Sequence, residues 1–267
     1  MTATGSDRIS APTIRDDPSL ATVVAVEWEK LRRGFCLWLS LALPFVLILP
    51  LGLIAAFSPE GQAGDVWGIW FSVTLLFWGM FLPMGAALYA AMSVRADLDS
   101  RQVVYAYAFP RHRLLIGRFL ALLLQWAVSA LLLTVLLATV GALLIGPEAA
   151  LPVPAGVLVP WLGAAATLAL CLMMAERWGT GPTAVVGVLG MLLGGIIADT
   201  SAWWFVPMVW PMRAVVPLAG IEANGVPLEP GDPLFSTAPL PVVVVLSFTL
   251  SIVLLAAGAR HVNRKEL

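Results

Sequence analysis

Charge is what this sequence has least of. Only 12% of its 267 residues are Asp, Glu, Lys or Arg, about half the share usual in a soluble domain. Lysine is nearly absent, occurring only as Lys30 and Lys265. There is no GxxxxGK[ST] run, so the chain has no loop of its own to cradle ATP phosphates. HExxH and GxSxG are missing too, which removes the simplest metallopeptidase and esterase chemistries. Cysteine is limited to Cys36 and Cys171, far apart and each inside an apolar run. That excludes a disulfide framework or a metal-ligand spacing and leaves two small buried hydrophobes. His112 and His261 stand among basic residues with no neighbouring ligand types. These absences point away from an enzyme, and from any metal or cofactor bound directly by the chain.

What is present in excess is apolar surface. The chain is 60% hydrophobic with a mean hydropathy of +0.92. Several runs exceed the roughly 18–20 residues that cross a bilayer. The sequence therefore predicts an all-α, polytopic membrane protein with six transmembrane helices, at about 35–57, 67–94, 114–145, 157–175, 183–198 and 240–258. Pro44 and Pro50 predict a kink in the first, and Gly79, Pro83 and Gly85 a bend or tilt in the second. The third is long enough to project beyond the hydrocarbon, with Arg118 expected to snorkel from its end. Glu176–Pro182 predicts a tight polar turn. In the fifth, Gly190 and Gly194 form a small-xxx-small pair that permits close helix approach.

The flanks are polar. Residues 1–19 lack the basic start and short apolar core of a cleaved signal and predict a disordered tail. Residues 20–34 predict an amphipathic helix in the membrane interface, apolar at first and then carrying Glu27, Trp28, Glu29, Lys30, Arg32 and Arg33. A plain cytoplasmic extension of the first span would also account for them. Residues 259–267 form a short basic tail after the 35–258 transmembrane domain.

Lys and Arg set the orientation. Fourteen of the 15 basic residues fall in the tails, the interfacial helix, the 95–118 stretch and the 176–182 turn. Only Arg213 falls on the opposite side, together with Glu60, Asp65, Glu148, Asp199, Glu222, Glu229 and Asp232. Six spans with both termini cytoplasmic satisfy this distribution. The external 199–239 segment carries Trp203, Trp204, Phe205 and Trp210 among prolines, which suggests short re-entrant helices dipping into the outer leaflet.

The loop between the second and third spans is the one long polar interruption in the first half. Asp97 and Asp99 would open a helix that runs to about Ala108, where negative charge offsets the helix dipole. Asp97 and Arg101 are spaced as an i,i+4 pair. Val103, Val104, Tyr107 and Ala108 make an apolar patch beside Tyr105, and Pro110 stops the helix. Arg111, His112, Arg113 and Arg118 follow as anchors to headgroups or phosphates. Such a patch fits a groove on a partner protein; an ordinary positive-inside loop would explain the arginines alone.

In plan, this chain resembles the membrane subunits of type-two ABC exporters, and among them the permeases of bacterial lantibiotic self-protection. The resemblance rests on Glu27–Arg33 leading directly into the first span, on the Asp97–Arg113 loop with its Phe109-Pro-Arg turn, and on the Trp- and Pro-rich external segment. It implies a permease moving an amphipathic peptide, antibiotic or lipid-like cargo outward across the plasma membrane. Two such permeases, identical or sister subunits, would assemble with two separate ATP-binding subunits that hold the ATP and Mg. No nucleic-acid partner is implied. Asp97, Asp99, Arg101, Val103, Val104, Tyr105, Tyr107 and Arg111 would couple to the ATPase, and Glu27, Glu29, Lys30, Arg32 and Arg33 would form the interfacial-helix contact. Trp203, Trp204, Phe205, Trp210 and Arg213 would line the exit path. The family often shows a glutamate in the coupling loop, whereas this chain has only aspartates there. Outside the resemblance, the rival functions are a membrane subunit for solute uptake and a non-transport assembly or sensory membrane protein.

Overall fold

The computed structural model describes residues 18–57, 63–97 and 111–264. Among these residues nine α-helices carry the fold: α1 (Leu20–Arg32), α2 (Phe35–Phe57), α3 (Ala63–Ala96), α4 (Arg111–Leu144), α5 (Val153–Gly163), α6 (Ala165–Trp178), α7 (Thr180–Ile197), α8 (Trp210–Ala219) and α9 (Pro239–Arg264). Short 3-10 turns link them, and one isolated antiparallel bridge joins Ile221 to Pro227. Most of the predicted N-terminal tail and all of residues 98–110 lie outside the described residues.

Five segments are long and apolar enough to cross a membrane: Val66–Ala96, His112–Leu144, Pro147–Trp178, Thr180–Ile197 and Pro239–Arg260. A sixth arises if α1 and α2, bent by 67° at their junction, count as one span. The chain is thus an all-helical, multi-pass membrane protein. Ser19 starts α1 by accepting from the Thr22 amide at 3.2 Å, and Lys30 and Arg32 occupy its last turn, where positive charge suits the helix dipole. Helix α2 continues through Pro44 and Pro50, and α3 through Pro83, without an interruption in either.

Helix α3 is the central post. Leu75, Trp78, Leu82, Ala86, Tyr89 and Ala90 on it are buried, and Trp78 Nε1 donates to the Val157 carbonyl of α5 at 3.0 Å. Helix α7 lies against α3 across glycines. A Cβ at Gly190 would sit 2.7 Å from Pro83 Cβ, and one at Gly187 only 3.2 Å from Met84 Cα. Of the pair singled out in the sequence, Gly190 makes this close approach to α3, whereas a Cβ at Gly194 would meet Met212 Cβ at an ordinary 3.4 Å.

Two features differ from expectation. The predicted polar turn Glu176–Pro182 shrinks to one residue: α6 runs to Trp178, α7 starts at Thr180, and Gly179 at φ 81° makes the reversal. The fourth span is not one helix but breaks at Ala164, between α5 and α6. At the break, Ser247 Oγ from α9 accepts from the Ala166 amide at 2.9 Å and donates to the Gly163 carbonyl at 2.9 Å. A side chain inserted into the helical ladder thus satisfies the groups the break frees, as irregular backbone at membrane depth requires.

Candidate functional site

The polar residues converge at one end of the bundle, around a single arginine. Arg118 lies seven residues into α4, about 10 Å along its axis. Its side chain is 4% exposed. Nε donates to Glu27 Oε2 on α1 at 3.3 Å, Nη1 donates to Glu176 Oε1 near the end of α6, and Nη2 donates to Asp97 Oδ2 just past α3. Lys30 closes the group from α1, with Nζ 2.5 Å from Glu27 Oε1 and 3.1 Å from Asp97 Oδ1. Three carboxylates and two cations thus meet here among the described residues.

The sequence makes this possible locally. Gly117 precedes Arg118, and a Cβ there would lie 2.6 Å from Val23 Cγ1. Bare backbone at Gly117 lets α1 press onto α4, and one turn after Val23 the same face of α1 carries Glu27. Arginine suits the centre because its five N–H donors fan out in a plane and can meet acceptors from several directions; lysine's single ammonium cannot. A second set of contacts lies seven residues deeper. Trp28 Nε1 donates to Gln125 Oε1 at 3.0 Å, Gln125 Nε2 donates to Ser40 Oγ at 2.9 Å, and Ser40 Oγ is 2.6 Å from Tyr89 Oη. Helix α1 is therefore fastened to α4 twice, by charge at Arg118 and by neutral hydrogen bonds at Gln125, and the second set reaches α2 and α3.

The structure redistributes the residues singled out in the sequence. Arg118, expected to snorkel, does not reach toward headgroups; three carboxylates provide its solvation inside the bundle. Asp97, just past the end of α3, faces Arg118 and Lys30; the helix expected to run from it to Ala108 lies outside the described residues. Glu27 and Lys30 join the cluster. Glu29, Arg32 and Arg33 form an exposed group, with Arg33 Nη2 2.8 Å from Glu29 Oε1 and Arg32 stacked over Trp28. Asp99, Arg101, Val103, Val104, Tyr105 and Tyr107 lie outside the described residues, and Arg111 is described only as the first residue of α4. Sequence reasoning missed Glu176, Gln125, Ser40 and Tyr89. A signal existed: Arg118, Gln125 and Ser129, spaced seven and four apart in an apolar run, fall on one helix face.

At the opposite end of the bundle, the 199–239 segment packs against the helices. Trp203 and Trp204 stack with centroids 4.2 Å apart, and Trp210 Nε1 donates to the Trp203 carbonyl at 3.1 Å. Phe205 is 86% exposed, while Trp203, Trp210 and Arg213 are buried. Arg213 lies 5.8 Å from the Trp203 ring, and its Nε and Nη1 have no hydrogen-bond partner among the described residues. Burial pushes its pKa down, against the attraction of Asp199. Asp199 accepts from the Ala223 amide at 2.7 Å through Oδ2, while its Oδ1 is buried without a partner among the described residues. Burial pushes the Asp199 carboxyl up, against the lowering effect of that amide and of Arg213; Glu222 and Asp232 add to the rise.

No protein-family model matches the chain, and no curated protein matches it.

Proposed function

We propose that this chain is the membrane-spanning permease subunit of an ATP-driven exporter, with ATP and Mg held by separate ATP-binding subunits. Its cargo is amphipathic: a peptide, an antibiotic or a lipid-like molecule. It works in the plasma membrane with both termini cytoplasmic, as one of two permeases, identical or sister. The observation that carries this reading is the Arg118 junction. It ties the interfacial helix, the start of the 98–110 loop, the third span and the end of the fourth into one charged node. A partner gripping that loop pulls on Asp97, and through Arg118 on α1, α4 and α6 together. The lack of a phosphate-binding loop supports an external energy source.

The test is a pull-down of the full chain with co-expressed candidate ATP-binding subunits. Replacing Val103, Val104 and Tyr107 with glutamate is expected to release the ATPase while membrane insertion persists. Undiminished capture sinks the proposal. The unpartnered polar atoms of Arg213 and Asp199 favour a second reading, a solute-uptake subunit with a polar external site. Saturable binding of a polar solute that R213Q abolishes is the result that would select it.

A further inference from the structure

A cleft of about 310 Å³ opens at the same end of the bundle as Arg118. It is lined by Val94 and Arg95 from the end of α3, by Ala175, Glu176 and Arg177 from α6, and by Gly179 and Thr180 at the α6–α7 reversal. Its size lies at the lower edge of small-ligand sites. Glu176 is engaged by Arg118 at its back wall. Among the described residues neither Arg95 nor Arg177 has a carboxylate partner within ion-pair distance, and both are exposed. Arg95 also borders a neighbouring cleft of about 330 Å³ that reaches Glu27, Lys30 and Asp97.

The surroundings have the side-chain chemistry expected at headgroup level. Trp178, 60% exposed, lies beside it with the Arg177 guanidinium 5.5 Å from its ring. Exposed tryptophan beside a cation is the side-chain chemistry of the membrane–water boundary. From that point α7 presents Val185, Val188, Leu189, Leu192 and Ile196 outward, an apolar face for acyl chains. The first turn of α7 adds a partial positive charge to the field already set by the two arginines.

We propose that this cleft binds the phosphate group of an anionic phospholipid, held between Arg95 and Arg177 with its acyl chains along α7. Basic recesses between membrane helices suit such headgroups, and guanidinium pairs phosphate oxygens in two-pronged fashion. The site follows from the chain's spanning a membrane and is independent of the transport reading.

The test uses the full chain in nanodiscs of mixed phosphatidylglycerol and phosphatidylcholine, with retained lipid read by native mass spectrometry after release. The wild type is expected to keep phosphatidylglycerol selectively. R95Q/R177Q is expected to lower that selectivity about 25-fold, two surface cations each contributing roughly fivefold. R95K/R177K keeps most of it. The comparison variant is R260Q, which removes an exposed arginine from the last helix. A double variant that loses no more selectivity than R260Q overturns the site. Displacement of the lipid by millimolar inorganic phosphate, or equal retention of both lipids by the wild type, overturns the lipid assignment. Circular dichroism of each variant confirms retained helix, so a folding failure is not mistaken for lost binding.

Discussion

Arg118 Nε lies 3.3 Å from Glu27 Oε2, joining residues 91 apart in sequence and fixing α1 to α4. Both side chains are almost wholly enclosed, at 4% and 7% exposure. In such surroundings each ion is tolerated only because the other is there. The pair is accordingly a geometric constraint more than a source of net stability: it fixes where α1 can sit on α4, and through Asp97 and Glu176 where α3 and α6 end.

Removing the arginine should therefore be costly. R118M removes from Glu27, Asp97 and Glu176 the guanidinium that all three meet and is expected to destabilise by about 3–5 kcal/mol. R118K should recover part of that loss, because one ammonium cannot serve carboxylates on three sides. Denaturant titration in micelles reads both. R260M, at an exposed position, should stay within about 0.5 kcal/mol of wild type. An R118M loss no larger than that of R260M contradicts the cluster.

The spans were legible because a bilayer demands length and apolarity, and the runs around 67–94, 114–145 and 240–258 supply both without ambiguity. The 95–118 loop stood out for a related reason, since charge is scarce elsewhere. The site was less legible. Arg118 looked like a snorkelling residue because position along a helix says nothing of what the neighbouring helices bring to it. Glu176 looked like part of a turn because its partner is 58 residues away in sequence. Ser247 looked like any small residue in an apolar helix. Each of these roles depends on helices meeting at one place, and no local pattern records that.

The 199–239 segment should respond to acid through Asp199. Its carboxyl is raised in the folded protein, first by burial, and the charged groups acting on it are Glu222, Arg213 and Asp232. A raised acid binds its proton more readily folded than unfolded, so its contribution to stability is present below the unfolded value, roughly 3.9. That contribution is lost as pH rises through the folded value. Wild type should therefore lose stability relative to D199N as pH rises from about 4. The asparagine oxygen can still accept from Ala223. Parallel pH scans of thermal unfolding that give the two proteins identical slopes would rule this out.

Ser247 provides the sharpest check on packing. Its hydroxyl accepts from the Ala166 amide and donates to the Gly163 carbonyl, both at 2.9 Å, at the break between α5 and α6. S247A leaves a donor and an acceptor without partners where water is excluded. An unmet buried group costs about 1–3 kcal/mol in soluble proteins, and about 0.6 kcal/mol is the mean for hydrogen bonds between membrane helices. A combined loss of about 1–3 kcal/mol is expected. S251A removes only a hydroxyl that donates to the Ser247 carbonyl one turn back, at 2.7 Å, and should cost less than about 1 kcal/mol. The two variants delete the same atom from the same helix, so helix propensity and volume cancel in the comparison. Hydrogen exchange at Ala166 should also accelerate in S247A and stay unchanged in S251A. Equal losses and unchanged exchange would mean that the break at Ala164 is held by something other than the serine.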